Sequence, residues 1–543
     1  MKILNKYFAI TALVLVSGCR KLDIAPTDAY SVLNFWSSDA NVYNALNNNY
    51  SLMYNSGLYF AAEGLSDNAY SQTNTDLIQI ASGNANAQTP KFAGDWAYYY
   101  ATIKSCNQFL ANVDKNTTLG AATLGRVKAE TRFIRAFEDF NLTKWYGDVP
   151  LVSTDISQDE AKVIQRTPKA EVINFILSEL NAILPALPSK DQLPAAENGR
   201  ITKGAALALQ ARVLLYQGNR MSDVVTTCES LMNGTSNGTY SLNPSYSNLF
   251  SDPATNRNNP ETILSLQYVP ATTRTWTDFW DFAPNSVGGR VNSLAPSQEL
   301  VNDYIMLNGK GINDAGSGYN ESNPYAGRDP RLTATIVYDR YNWNSGGGVN
   351  GTSKMIYIKP GSDPTRPGPD EYSSGRQSSS PTGYYWRKYF DPSALANFTS
   401  GNNIHLFRYA EILLDYAEAK SSLGQMDATV WNKTIGALRT RAGFTDPAAL
   451  NYPGGDLTNV IRRERRVELA MEGARIDDIR RWKIAETVLN GYVHGAKFSG
   501  DPATDNGYIR AQLRRFNTNR DYLWAIPGGD LSLDSKLTQN PGY

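Results

Sequence analysis

Histidine is the side chain best suited to moving protons near neutral pH, and this chain holds only two, His405 and His494. A Ser/His/Asp triad or a multi-histidine metal site would have to use one of them. Neither stands in such a motif: His405 precedes a helical repeat and His494 lies in a glycine-rich turn, so both read as structural. No His-Glu-x-x-His, no Gly-x-x-x-x-Gly-Lys-Ser/Thr and no Gly-x-Ser-x-Gly in its required context occurs. Paired carboxylates for glycoside hydrolysis leave no trace in a sequence, because their separation is set in space, and a surface glycoside hydrolase therefore stays as an alternative. The positive signal is aromatic. Trp276, Trp280, Trp343 and Trp386, with Tyr341, Tyr384 and Tyr385 beside them, fall in a segment rich in Asn, Gly, Ser and Pro. A sugar ring offers an apolar face and polar edges, so an indole platform flanked by Asn, Asp and Arg is what its binding requires. The structural reading of the same rings is that they pin irregular loops to a scaffold.

Charge and cysteines exclude other classes. Lys+Arg and Asp+Glu are both 52, so no global field draws nucleic acid, and acidic residues interrupt every basic run. No cysteine spacing of the metal-binding kind occurs, and no cofactor is implied. The N-terminus has basic Lys2 and Lys6 followed by an apolar run from Tyr7 to Val16, which reads as an export signal too short to span a bilayer. Val16-Ser17-Gly18-Cys19 then resembles a bacterial lipobox, with Cys19 as the lipidated first residue of the mature chain. No later segment is expected to reach the apolar length of a membrane span. Cys106 and Cys228 sit in helical patterns and read as buried thiols, with one long-range disulfide open to them in an oxidising compartment.

These residues need a scaffold, and helical periodicity supplies it. Helices are expected near 40–54, 94–113, 127–145 and 168–184, the third closed by Gly147 and Pro150 and the fourth by Pro185 and Pro188. Ala205, Ala208 and Ala211, followed by an aromatic and Gly218, look like a tetratricopeptide helix pair, and the layout returns from Tyr409 to Thr440. Between the blocks, Asn233 to Asn403 is loop-like, with Leu332 to Tyr338 alternating as a strand. Near the C-terminus a helix is expected through Asp456–Trp482, on which Glu464, Glu468 and Glu472 stack one turn apart. Like charges at that spacing oppose an isolated helix, so the nearby arginines, Arg465 and Arg475 among them, are expected to form a structural Arg/Glu lattice.

That stretch also carries a resemblance. Glu464-Arg465, Glu468-Leu469, Glu472-Gly473, Arg475 and Asp478-Ile479-Arg480-Arg481-Trp482 resemble the hallmark of the SusD/RagB family, as do Tyr146-Gly-Asp-Val-Pro-Leu151 and the tail Gln539-Asn-Pro-Gly-Tyr543. The resemblance implies a mainly α, tetratricopeptide-like scaffold with a loop-rich subdomain containing short strands. It implies a lipoprotein on the outer face of the outer membrane that binds oligosaccharide or polysaccharide and passes it to a TonB-dependent SusC-like transporter, without catalysis. It also sets Trp96, at a helix start, on the binding groove. The expected divisions are a signal peptide (1–18), a lipidated tether (19–39), a helical scaffold (40–232), a loop-rich aromatic subdomain (233–403) and C-terminal repeats with the family tail (404–543). A helical-repeat adaptor for peptide or protein is the third reading.

Overall fold

The computed structural model describes residues 35–269, 274–343, 354–365, 368–373, 378–391, 394, 399–499 and 505–543. The expected export signal, Cys19 and most of the tether lie outside them. The first half is helical: α1 (Asp39–Leu52), α2 (Ser56–Leu65), α3 (Pro90–Asn112), α4 (Ala121–Tyr146) and α5 (Lys169–Ile183). Pro90 opens α3, where its missing N–H loses no helical bond. Helix α4 packs between α3 and α5, and every residue from Thr131 to Tyr146 except Arg132 is buried. It stops at Gly147, whose φ of 76° favours glycine. By composition, Lys169–Gln192 is long and apolar enough to cross a bilayer, which the sequence reading did not anticipate. In the fold, α5 turns one apolar stripe (Val172, Ile173, Ile176, Leu180, Ile183) into the core, and Pro185 follows at once.

The repeat pair is α6 (Lys203–Gln217) and α7 (Met221–Met232), with α8 (Tyr409–Ser422) packed on both. Ala205, Ala208 and Ala211 are buried, so small side chains let the helices approach. At Gly204 a Cβ would fall 2.1 Å from the Tyr240 hydroxyl, which leaves room for glycine alone. Cys106 and Cys228 are both free and buried, and burial pushes both thiols up, away from the reactive thiolate.

The loop-rich segment is braced by short antiparallel ladders. β1 (Ala69–Ser71) pairs with β3 (Leu294–Pro296), β2 (Thr262–Leu266) with β8 (Ile404–Arg408), β4 (Ile336–Val337) with β7 (Tyr385–Trp386), β5 (Tyr341–Trp343) with β6 (Lys354–Ile356), and β9 (Gly491–Lys497) with β10 (Tyr508–Arg514). Strand β8 runs straight into α8, so the segment ends on the scaffold itself. One apolar cluster extends from Met53 through the loop rings to Ile526. The strand expected over Leu332–Tyr338 is mostly a short helix, Pro330–Thr335, with only Ile336 and Val337 extended. Asp329 caps it by accepting from the Arg331 amide and Pro330 takes its first turn, a local signal stronger than three alternating residues.

The C-terminal helix also departs from expectation. It divides into α10 (Thr458–Glu468) and α11 (Arg475–Arg481), because Met471 (φ 63°) and Gly473 (φ 72°) turn the chain left-handed between them. The Gly473 amide then donates to Glu63 Oε1 at 2.9 Å. The lattice exists, with partners from far along the chain. Arg331 binds Asp329, Glu464 and Glu468; Arg408 binds Glu261, Glu468 and Glu472; Arg439, on α9 (Ile435–Ala442), binds Glu464; Arg441 binds Glu261 and Glu468; Lys388 binds Glu472. Five cations thus meet five carboxylates, their side chains all buried. Arg465 and Arg475 serve elsewhere, on Asp415 with Asp478 and on Asp67. Burial opposes ionisation of Glu468, and the guanidiniums of Arg441, Arg408 and Arg331 overcome it, holding the carboxyl well below the usual range.

Candidate ligand-binding site

All six aromatic candidates are buried, and five of them are enclosed by named neighbours. Trp276 exchanges backbone hydrogen bonds with Ser400, donates its indole N–H to the Asn402 carbonyl at 2.8 Å and packs 5.3 Å from Phe60. Trp280 is fully buried, edge-on to Phe390, and a Cβ at Gly288 would come 2.5 Å from its ring. Trp343 lies beneath the Arg387 guanidinium at 4.5 Å, and Trp386 sits in the β4–β7 ladder opposite Ile336. Tyr341 donates its hydroxyl to the Thr333 carbonyl at 2.8 Å. The expectation of an open indole platform is therefore corrected for these five: their faces are taken by protein, and they frame the loops. The same composition serves a platform or a frame, which is why the sequence did not separate them.

Trp96, though no less buried, lies along the inner side of a cleft. A groove of about 550 Å³ runs between α3, the segment Pro150–Ile164 and the C-terminal segment Asp530–Leu537. Trp96 forms its inner wall, tilted 4.9 Å from Tyr100. Burial raises the Asp530 carboxyl at the groove's far side, although the Trp96 indole favours its charged form. Tyr100, one helical turn on, donates to the Pro150 carbonyl at 2.8 Å, which fixes the ring while leaving part of it open. Val152, Ile156 and Leu533 give an apolar lining, and Lys104, Asp155 and Gln158 a polar edge. The sequence reading named Trp96 and missed Tyr100, although the i, i+4 spacing puts both on one face of α3.

Both histidines are held by neighbouring groups, and His494 lies on strand β9 and not in the turn expected for it. Burial drives His405 down to about 4, and its ring sits between Thr262 Oγ1 at 3.0 Å and the Leu249 carbonyl at 3.1 Å. His494, on β9, lies between two carboxylates: Nδ1 meets Glu299 Oε1 at 2.7 Å and Nε2 meets Asp505 Oδ2 at 3.2 Å. The Glu299 hydrogen bond raises it above its ordinary value. Arg510 shares Asp505, and the Tyr492 and Tyr508 rings flank the imidazole. Because the folded value is the higher one, the bracing of β9 on Glu299 is complete below roughly pH 6.5 and is lost as pH rises through the folded value. Imidazole NMR titration is expected to show His494 titrating above an ordinary histidine, and Glu299→Gln to bring it back down. An unchanged titration in that variant would remove Glu299 as the cause.

The motifs behind the resemblance act as clips. Asp148 Oδ1 accepts the Lys169 amide at the start of α5, at 2.8 Å. Gln539 pairs with both backbone groups of Ile526, and Asn540 donates to the carbonyls of Tyr146 and Trp524, tying the tail to the end of α4. The SusD family model matches residues 260–543, just over half of the chain, and a second model, described as starch-binding and associating with the outer membrane, matches residues 20–215. The chain belongs to the SusD family. Among curated relatives, SusD-like protein P2 of Formosa agariphila is 25% identical over 99% of this chain and 100% of its own length. A SusD-like protein of Bacteroides ovatus is 25% identical over 87% of this chain and 81% of its own. The crystal structure of a SusD-like carbohydrate binding protein from Bacteroides fragilis is 29% identical and superposes with a TM-score of 0.79, covering 93% of this chain and 100% of that one. A second SusD-like protein from Bacteroides fragilis gives 27% and 0.77, covering 94% of this chain and 98% of its own.

Proposed function

We propose that this SusD-family chain is an outer-membrane lipoprotein, facing outward, that binds oligosaccharide or polysaccharide and delivers it to a TonB-dependent SusC-like transporter without catalysing any reaction. The observation that carries the reading is the chain-long likeness, at 29% identity, to a solved SusD-like carbohydrate binding protein. The Trp96–Tyr100 groove adds a place for the ligand. The partly open Tyr100 ring, backed by the buried Trp96, suits the apolar face of a sugar, and the carboxylate, amide and ammonium at the groove's edge suit the hydroxyls. In this account Trp276, Trp280, Tyr341, Trp343 and Trp386 act indirectly, by holding the loop frame. Native gels cast with single polysaccharides test the reading: retardation of the mature chain by at least one of them is expected, and migration unchanged in a broad panel would oppose it.

Anchoring rests on Cys19, the lipobox cysteine at the end of the export signal. More than one acyl chain on that residue gives stable attachment, where a single chain is marginal. Cys19→Ala is expected to move the protein from the membrane fraction to the soluble one. A variant that still sediments with membranes would show that something else holds it there.

A further inference from the structure

A second cleft, also about 550 Å³, opens between the C-terminal ends of α6 and α8, the turn Tyr452–Leu457 and the first turn of α10. Its chemistry differs from that of the aromatic groove. Arg481 grips Glu418 with both terminal nitrogens, at 2.5 and 2.6 Å, and the Trp482 indole donates to the same carboxylate at 2.8 Å. Burial works against Glu418, but Arg481 wins and holds it at about 2, so this carboxylate is charged and fully engaged. The cleft's other carboxylate, Asp456, accepts the Thr458 amide at 2.9 Å.

Arg462 is left over. Its guanidinium lies 4.7 Å from the Trp482 ring centre and faces the cleft. Arg463, Arg465, Arg466, Arg475 and Arg481 of the same stretch each hold a carboxylate, and Arg480 donates to the Tyr522 carbonyl. Among the described residues Arg462 forms no ion pair; Glu418, Asp478 and Asp456 attract it from a distance, while Arg481 and Arg475 repel it. The hydroxyls of Ser421 and Ser422 stand at the same opening, above an apolar floor that includes Leu457 and Ile461. A half-buried guanidinium with a planar fork, set over a ring and gripped by no carboxylate of its own, has one favourable neighbour missing: an oxyanion it can hold with two hydrogen bonds.

We infer that this cleft is a binding site for a small carboxylate ligand, anchored by Arg462 and bordered by Ser421 and Ser422. The site is separate from the Trp96–Tyr100 groove and does not depend on what that groove binds. Calorimetric titration of the mature chain with D-glucuronate, and with D-glucose as its neutral counterpart, tests the inference. The acid is expected to bind at least tenfold more tightly than the neutral sugar, and less tightly as salt is added. Losing a charged hydrogen-bonding partner should weaken it in Arg462→Gln by roughly tenfold to a hundredfold. Arg462→Lys should retain part of the affinity, since it keeps the charge and loses the fork. Thermal melts of both variants should stay close to the wild type, because Arg462 forms no ion pair and its half-exposed contact with the Trp482 ring contributes little. Equal response to acid and neutral sugar, or full affinity in Arg462→Gln, would overturn the inference.

Discussion

Replacing Glu468 with Gln is expected to destabilise the protein by about 3–5 kcal/mol, the range for breaking a buried ion pair from one side. Glu468 accepts from Arg331 at 2.8 Å, from Arg408 at 2.7 Å and from Arg441, and its side chain is fully buried. The variant leaves five buried cations facing four carboxylates, with no water to screen the excess. A half-exposed pair gives the contrast. Arg220 and Asp223 lie on the surface, so Asp223→Asn should cost less than about 1 kcal/mol. Urea unfolding midpoints of the two variants check the difference. If Glu468→Gln unfolds like Asp223→Asn, the lattice is not what holds α10 to the loop-rich segment.

The second large effect separates binding rings from framing rings. Trp280→Ala should cost roughly 3–5 kcal/mol in stability, since it removes a fully buried indole from a packed interior. Its folded fraction should still bind glycan. Tyr100→Ala should do the reverse. Its ring is partly open in the groove, so the fold should change little while affinity falls by about 1–3 kcal/mol, on the scale of aromatic stacking on nucleobases. That is roughly one to two decades in Kd. Trp96→Ala should lose both, because the indole lines the groove and also packs against Tyr146 at 5.0 Å. Calorimetry with an oligosaccharide found by the gel screen, paired with melting curves, checks all three. Normal binding in both Tyr100→Ala and Trp96→Ala would place the glycan elsewhere.

The parts legible in the sequence were those fixed locally. Gly147 and Gly218 mark helix ends because each acts on its own backbone, and Ala205, Ala208 and Ala211 mark a close helix contact because small size is an intrinsic property. What failed to show were pairings across distance. Nothing near Glu468 announces Arg408, which arrives on a strand 60 residues earlier, so the sequence reading assigned neutralisation to Arg465 and Arg475 instead. The break at Met471 was hidden for a similar reason. A non-glycine residue at φ 63° is held there by surroundings such as the Glu63–Gly473 contact, not by its own preference. Ring exposure was the hardest case, since the neighbours that cover Trp276 and Trp280 come from Phe60, Asn402 and Phe390.

Recovery of the ligand tests the central claim most directly. The mature chain is incubated with an oligosaccharide that retards it, the complex is isolated, and the released sugar is weighed by mass spectrometry alongside an assay for new reducing ends. The account predicts the oligosaccharide back at its original mass, bound and unaltered. Shortened products that vanish on substitution of a single Asp or Glu would contradict it and make the protein a glycoside hydrolase.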